Sequence, residues 1–314
     1  MSVARPRRGR MGGSRRRRPP AAVEESIEIH TSDGVALRAS ALPRSEGAPA
    51  AGTAVLAHAM FARRGEFVKP AGRSLADLLR SSGFDVVAFD FRGHGESSGK
   101  DARWTYDDLV ARDLPAVVDC ARAREDGRLV VVGHSLGGHV ALAAQGLGLA
   151  RADAIVCVAA NVWLWSLERS RVRWLAKRVI AEVGSRAVAR LGRVPARALR
   201  LGSDDESAEY MQSIFAPART GRWVGAGGED YLAALAAVDV PVAQIVSDGD
   251  RLNCHPGSGA AFARLAGGPV HVEHVRGSRR EPAPDHMQLV TGVASMPAVR
   301  EAWERALAWV RART

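Results

Sequence analysis

The sequence contains little cysteine. Its 314 residues include three cysteines, Cys120, Cys157 and Cys254, which are odd in number and far apart. This spacing excludes a disulfide framework and offers no pair of zinc ligands. Cys120 and Cys157 fall in apolar patterns that are typical of buried packing residues. We therefore expect a protein of a reducing compartment, with the cytoplasm as the default location.

Long apolar runs are also missing. No stretch approaches the ~18 consecutive apolar residues of a membrane span, so we expect no transmembrane segment. The arginines at the N-terminus are not followed by the apolar core of a secretory signal. The bulk composition, 46% hydrophobic and 25% charged, is ordinary for a globular protein with a full core.

The first residues carry charge of one sign. Residues 1–20 hold eight arginines and no acidic residue. We predict that residues 1–22 form a disordered tail. It is either a solvated extension, sequence ahead of a later start such as Met11, or an electrostatic contact for nucleic acid or an anionic surface. We do not expect nucleic-acid binding, because no aromatic residues interleave the arginines.

Metal and phosphate motifs are absent from the sequence. The histidines do not show the H-E-x-x-H spacing, and neither G-x-x-x-x-G-K-[ST] nor G-x-G-x-x-G occurs. We therefore predict neither a metal nor an organic cofactor.

What the sequence does contain is an alternation of short apolar strands with helical stretches. Eight strands are predicted, the first two as a hairpin around Ser32-Asp33-Gly34. This alternation predicts an α/β fold, with a mostly parallel sheet between two layers of helices. After the sixth strand the rhythm stops. We divide the chain into a core at 23–160, a helical lid at 161–235 and a second core part at 236–314.

The segment 161–235 shows no clear strand. Val172, Leu175, Val179 and Val183 follow three- and four-residue spacing, which predicts an amphipathic helix. Two hypotheses concern its other residues. In the first hypothesis, the tryptophans line an acyl pocket and a basic face attracts anionic substrates. In the second, the tryptophans are packing residues and the charges are solvated. These candidate residues are Trp163, Trp165, Trp174, Arg169, Arg173 and Lys177.

The most informative motif is Gly133-His134-Ser135-Leu136-Gly137. A β-branched strand precedes it and an Ala/Leu-rich helical stretch follows, which is the context of a G-x-S-x-G nucleophile elbow. Such a turn strains the serine backbone and leaves no room for a Cβ at the flanking positions. We interpret Ser135 as a nucleophile; the alternative is a Gly-rich turn with an inert serine.

A serine hydroxyl needs a base, and the base needs an acid to hold it. In elbow enzymes these follow the serine in the order acid, then histidine. After the seventh strand come Asp248 and Asp250, and we favour Asp250 because Asp248-Gly249 has the composition of a turn. After the eighth strand comes His286, our candidate base. His271 and His274 lie within that strand, where three-residue spacing points them to opposite faces.

An oxyanion hole needs backbone N–H groups aimed at the developing charge. The candidate donors are Leu136, directly after the serine, and Met60, in the loop after the third strand. His58, at the start of that loop, is expected to hydrogen-bond the loop rather than act as a base. Phe61 and His134, with Trp163 and Trp165, are candidate substrate-binding residues.

Taken together, these motifs resemble the α/β-hydrolase superfamily. The resemblance rests on four separated motifs in the same order, which are His58-Ala59-Met60, the segment from Asp90 to Ser97, the elbow, and Asp250 with Asp285-His286. It covers the chain from about Ser26 onward. The insertion resembles that of bacterial α/β hydrolases of unassigned substrate. One departure is Ala59, where the family usually has glycine.

The resemblance implies Ser135 as nucleophile, Asp250 as acid, His286 as base, and Met60 and Leu136 as oxyanion donors. A serine at 135 argues against the aspartate-nucleophile branches of the superfamily. We expect a hydrolase that acts on a small-molecule carboxylic ester or thioester, and the basic-face hypothesis adds an anionic group on that substrate. The alternatives are an acyltransferase with the same triad and a non-catalytic binding protein with this fold.

Overall fold

The structure is a computed structural model, in which residues 24–125, 127–278 and 281–314 are described. The predicted N-terminal tail, residues 1–22, lies outside the described residues. In the described part of the chain no helix is long and apolar enough to cross a membrane.

The core is an eight-stranded sheet in the order β1-β2-β4-β3-β5-β6-β9-β10. Strand β2 runs antiparallel to both of its neighbours, and the other pairs are parallel. The prediction of eight strands, with an opening hairpin and an insertion after the sixth, is confirmed. The strands are β1 Glu25–His30, β2 Ala36–Leu42, β3 Gly52–Ala57, β4 Phe84–Phe89, β5 Leu129–His134, β6 Ala154–Val158, β9 Val242–Ser247 and β10 Val270–Val275.

Helices cover both faces of this sheet. Successive residues of β5 alternate between two apolar clusters, Val131 packing on one side and Val130 and Val132 on the other. A strand buried on both faces needs no polar alternation, which is why β5 reads as a continuous apolar run. The helices are α1 Gly65–Val68, α2 Leu75–Ser81, α3 Tyr106–Asp108, α4 Leu114–Arg124, α5 Leu136–Gly146, α6 Arg171–Leu191, α7 Ala208–Thr220, α8 Tyr231–Ala234, α9 Pro256–Ala263, α10 Gln288–Thr291 and α11 Pro297–Arg311.

The sequence predicts a helical stretch over Tyr106–Arg124, in which Pro115 either kinks the helix or lies in its first turn after a break. Between α3 and α4 the chain forms a π-helical segment, Leu109–Asp113, and Pro115 then lies in the first turn of α4. Proline lacks an N–H and is tolerated there, because the first N–H groups of a helix have no intrahelical partner. The second predicted option, a proline in the first turn after a break, is therefore the one observed.

The insertion between β6 and β9 differs from its prediction in two respects. It contains two two-residue strands, β7 Arg193–Val194 and β8 Glu206–Ser207, which pair with each other and are too short to show an apolar alternation. The long helix α6 is present, but its spaced valines and leucine face solvent. Its buried positions are Lys177, Ala181, Ser185 and Val188.

Candidate active site

Ser135 lies in the sharp turn between β5 and α5. Its backbone is strained, with φ 50° and ψ −107°. A Cβ on Gly133 would lie 2.3 Å from the nitrogen of Gly138, and one on Gly137 would lie 2.0 Å from the oxygen of Ala57. Both flanking positions therefore require glycine. The strained turn places Ser135 at the N-terminus of α5, where the helix dipole favours negative charge.

Asp250 and His286 are in direct contact. The Nδ1–H group of His286 donates a hydrogen bond to Oδ2 of Asp250. The carboxylate is almost fully buried, in the loop after β9. Burial favours the neutral acid, but the hydrogen bond from His286 and the charge of its ring hold the pKa of Asp250 below its usual value. The carboxylate thus stays ionised and fixes the proton of the ring on Nδ1.

The other candidate acid, Asp248, contacts a different histidine. Its Oδ1 lies 2.6 Å from Nε2 of His274 on the exposed side of β10. His271, three residues earlier, stacks on Trp309 with ring centroids 5.2 Å apart. The structure therefore brings Asp250, and neither Asp248 nor the strand histidines, to His286.

Ser135 and His286 line one cavity of about 740 Å³. Leu136, Met60, Phe61 and Trp163 line it as well. The insertion contributes part of the wall, with residues that sequence reasoning did not single out. They are Leu201, Ile214, Phe215, Pro217 and Trp223.

Two buried residues of the core, Tyr106 and His139, also line the cavity. Tyr106 Oη lies 2.9 Å from Nδ1 of His139. Burial lowers the pKa of His139 to about 3, so its ring is neutral and accepts the hydrogen bond from the tyrosine. His139 follows Ser135 by four residues on α5, a spacing that places both on one helix face. That spacing is a signal from which His139 could have been found.

The loop after β3 is held by two buried carboxylates. Oε1 of Glu66 accepts a hydrogen bond from the N–H of Ala59 at 3.0 Å, and Oε1 of Glu206 accepts one from the N–H of Phe61 at 3.0 Å. The N–H of Met60, between them, has no partner among the described hydrogen bonds. This pattern leaves Met60 free to donate into the cavity. The N–H of Leu136, in the first turn of α5, has no intrahelical partner either.

His134 is not among the residues that line the cavity. Its Nδ1 is 3.1 Å from Oε1 of Glu66, and its Nε2 is 3.1 Å from the backbone oxygen of His286. Burial opposes the charged ring, but Glu66 raises the pKa of His134, and a protonated ring donates both bonds. The cavity lining therefore does not support the predicted role of His134 in substrate binding, which stays a prediction. The residue instead connects the Met60 loop to the loop that carries His286.

The segment from Phe91 to Ser97 braces the Met60 loop and the insertion. Both ring nitrogens of His94 face acceptors, the backbone oxygen of Arg92 at 3.0 Å and Oε1 of Glu206 at 3.1 Å. Burial lowers the pKa of His94, but the Glu206 carboxylate outweighs it and raises the value to about 9. His58 accepts a bond from the N–H of Phe91 and contacts Ala59, as expected for a loop-bonding residue.

The tryptophans of the insertion take different positions. Trp163 lines the cavity, and its Nε1–H donates to the backbone oxygen of Asn253 at 3.1 Å. Trp165 is half exposed, packs edge-on against Trp174 at 5.7 Å and does not line the cavity. Of the three tryptophans proposed for the pocket, Trp163 lines the cavity, whereas Trp165 and Trp174 are not among its lining residues.

The three residues of the predicted basic face differ in their surroundings. Lys177 is buried, and its Nζ lies 3.0 Å from Oε2 of Glu168, which Arg173 also contacts at 2.9 Å. Two of the three residues assigned to substrate attraction therefore bond one buried carboxylate. Arg169 is exposed. The four-residue spacing of these charges reflects a structural ion pair rather than a steering surface.

We find no cluster of three or more His, Cys, Asp or Glu side chains arranged to hold a metal ion within residues 24–125, 127–278 and 281–314.

Comparison with known proteins identifies the family of this chain. The family model described as serine aminopeptidase, S33, matches residues 59–279. Among curated proteins, uncharacterized protein YfhR of Salmonella typhi is 32% identical over 131 residues, 41% of this chain and 42% of that protein. Triacylglycerol lipase 2 of Arabidopsis thaliana is 28% identical over 129 residues, 36% of this chain and 31% of that protein. The chain thus spans less than half the length of these curated relatives.

Solved structures share the fold over nearly the whole chain. An esterase of Pyrococcus furiosus superposes with a TM-score of 0.60 at 19% identity, covering 97% of this chain and 96% of that one. A monoacylglycerol lipase of Paleococcus ferrophilus gives a TM-score of 0.58 at 19% identity, over 88% and 99%. At such low identity these likenesses show the fold. Because the family model covers more than half of its length, the chain belongs to the serine aminopeptidase S33 family of α/β hydrolases.

Proposed function

We propose that this chain hydrolyses a carboxylic ester or thioester through an acyl-enzyme on Ser135. The observation that carries the proposal is the hydrogen bond between Asp250 and His286, on a cavity that the strained Ser135 also lines. An aspartate, a histidine and an elbow serine around one cavity form the arrangement that activates a serine hydroxyl.

In the proposed reaction, Oγ of Ser135 attacks the carbonyl carbon while Nε2 of His286 takes its proton. Asp250 accepts the Nδ1–H bond and stabilises the charged ring. The N–H groups of Met60 and Leu136 donate to the oxygen that becomes negative. His286 then gives its proton to the leaving alcohol or thiol, and water, activated by the same ring, releases the acid.

The cavity favours an apolar acyl group. The side chains of Val162, Trp163, Ile214, Phe215 and Trp223 supply apolar walls. The neutral, mutually bonded Tyr106 and His139 line the cavity with them. A largely apolar pocket with few polar groups selects by shape and by burial of hydrocarbon surface. We propose that the insertion, residues 161–235, acts as a lid whose α7 contacts this acyl group.

Hydrolysis of chromogenic esters of increasing chain length tests the proposal. We expect activity that rises with acyl length until the cavity is filled, and a loss of at least about a thousandfold in Ser135→Ala. Ser166→Ala, at an exposed serine of the insertion, is the matched control and should retain activity. A thioester and an aminoacyl amide of the same acyl group extend the panel. If the amide were cleaved faster than the ester, the chain would be assigned peptidase activity instead of ester hydrolysis.

A fluorophosphonate probe separates catalysis from mere binding. We expect stoichiometric labelling that Ser135→Ala abolishes. Absence of labelling and of hydrolysis would favour a binding protein that keeps the fold. Faster transfer of the acyl group to an added alcohol than to water would identify an acyltransferase.

A further inference from the structure

The outer face of α6 is apolar and unpartnered in the described part of the chain. Val172, Leu175, Val179 and Val183 have exposed fractions of 82%, 62%, 52% and 60%. Their three- and four-residue spacing aligns them along one side of the helix, and we call these four residues the outer stripe. Folded chains normally turn such a side inward, so an apolar side left in solvent marks an interaction surface.

Positive charge lies along one edge of the outer stripe. Arg171, Arg178 and Arg186 are exposed and fall at seven- and eight-residue spacing, which places them on one line of the helix. Glu182, on the same line, lies 3.5 Å from both Arg186 and Arg219. Among the described residues no acidic side chain pairs with Arg171 or Arg178. The edge is therefore net basic.

We propose that the outer stripe docks α6 onto an anionic lipid surface. A lipid surface offers both an apolar layer that takes valine and leucine and anionic headgroups that attract the arginines. A second copy of the chain fits less well, because two identical faces would bring their arginines against each other.

The inward side of α6 holds the helix in this orientation. Lys177 is buried against Glu168 at 3.0 Å, and Oγ of Ser185 bonds Oε1 of Gln212 on α7 at 2.5 Å. If α6 rotated so that the outer stripe faced inward, the contacts of Lys177 and Ser185 would be lost. Arginine side chains would then be buried. The apolar side is therefore held outward, with no covering element among residues 24–125, 127–278 and 281–314.

Docking would bring the cavity close to lipid-dissolved molecules. Helix α6 packs on α7, where a Cβ on Gly184 would lie 2.6 Å from Cζ of Phe215, a cavity-lining residue. The lipid surface would thus lie one helix away from the cavity. This consequence rests on the proposed function, whereas docking itself does not.

Sedimentation of the full chain with phosphatidylcholine vesicles, with and without phosphatidylglycerol, tests the docking. We expect binding to the anionic vesicles, and at least about tenfold weaker binding of Leu175→Gln/Val179→Gln/Val183→Gln. Glutamine is a better helix former than valine, so the variant should fold. Leu149→Gln/Leu265→Gln, at exposed leucines elsewhere, is the matched control and should bind like the unmodified chain.

Other outcomes would overturn the proposal. The arginines of residues 1–20 provide charge alone, so equal binding of the triple variant and the unmodified chain would assign binding to charge and not to the outer stripe. No binding to anionic vesicles at low salt would also contradict it. A dimer that the triple variant abolishes, without vesicle binding, would assign the stripe to a second copy. Hydrolysis of a soluble ester by the triple variant should be unchanged, which separates this test from that of the proposed function.

Discussion

The central sheet and the insertion use apolar residues in opposite ways. In the sheet, Val130 and Val131 are buried on either face. In the insertion, Val172 and Val179 of α6 are exposed, while Lys177 is buried with Glu168. In the sheet, apolar burial and local pattern agree because helices cover both faces. In the insertion the spacing predicts the element, but polar contacts decide which side of it faces inward.

The largest expected effect concerns Asp250, in the loop after strand β9 of the central sheet. We expect Asp250→Asn to lower kcat by about a thousandfold to ten-thousandfold, because the amide no longer holds the His286 ring in the required tautomer. Asp248→Asn, two residues away and bonded to His274, should lower kcat less than about twofold. Steady-state kinetics on one ester measures both variants. Equal losses would contradict the assignment of Asp250.

The next effect concerns the buried ion pair of the insertion. We expect Lys177→Met to lower the free energy of unfolding by about 3–5 kcal/mol, because it leaves the Glu168 carboxylate buried without its lysine. Val179→Gln, two residues later on the exposed side, should change it by less than about 0.5 kcal/mol. Urea denaturation of the two variants tests the contrast. A larger loss of unfolding free energy in Val179→Gln than in Lys177→Met would contradict the orientation of α6 described above.

The same pair should make stability depend on pH. Burial would raise the pKa of Glu168, but hydrogen bonds from Arg173, Ser170 and Lys177 lower it from 4.5 to about 2. Because the folded pKa lies below the unfolded one, the stabilisation is present above pH 4.5 and is lost as the pH falls toward 2. We expect a loss of about 3 kcal/mol across this range.

Lys177→Met/Glu168→Gln is the reference for that titration. The double variant lacks both charges, so its difference from the unmodified chain should shrink as the pH falls through this interval. A difference that stays constant with pH would show that Glu168 does not titrate as proposed.

The smallest expected effects concern the loop that carries Met60, which residues of both the core and the insertion hold in place. Glu66 belongs to the core and Glu206 to the insertion, and they bond the N–H groups on either side of Met60. We expect Glu66→Gln and Glu206→Gln each to lower kcat by about ten- to a hundredfold with little change in KM, because the oxyanion donor is displaced.

Glu301→Gln, at an exposed glutamate of α11, is the control for these two variants. A matched fall in kcat for both would show that core and insertion position the loop together. If Glu66→Gln lowered kcat and Glu206→Gln did not, the insertion would cover the cavity without positioning the loop.

The sequence was sufficient for the sheet and for the serine, and insufficient for what surrounds them. The elbow could be predicted because a strained turn requires glycine at 133 and 137, which is a local rule. Asp250 and His286 could be placed because strand ends meet at one edge of a parallel sheet. Glu206 could not, because its bond to Phe61 joins segments 145 residues apart and leaves no periodic trace in the chain. Glu66 and Lys177 bond partners only seven and nine residues away, but the conformation of the intervening loop sets these contacts and no spacing rule predicts them.

The orientation of α6 shows the limit most clearly. Three- and four-residue spacing of valine and leucine fixes a helix and one apolar side, but it does not say what lies against that side. Only the positions of Glu168 and Gln212 in the folded chain decide it. The Pro115 break is an intermediate case, because the sequence limited it to two options and the fold selected one.

The most direct test is peptide mapping of the full chain after reaction with a fluorophosphonate, by mass spectrometry. We expect one adduct on the peptide that contains Ser135, and strongly slowed labelling in His286→Ala. An adduct on another residue, or ester hydrolysis that persists in Ser135→Ala, would contradict the central claim that this serine is the nucleophile.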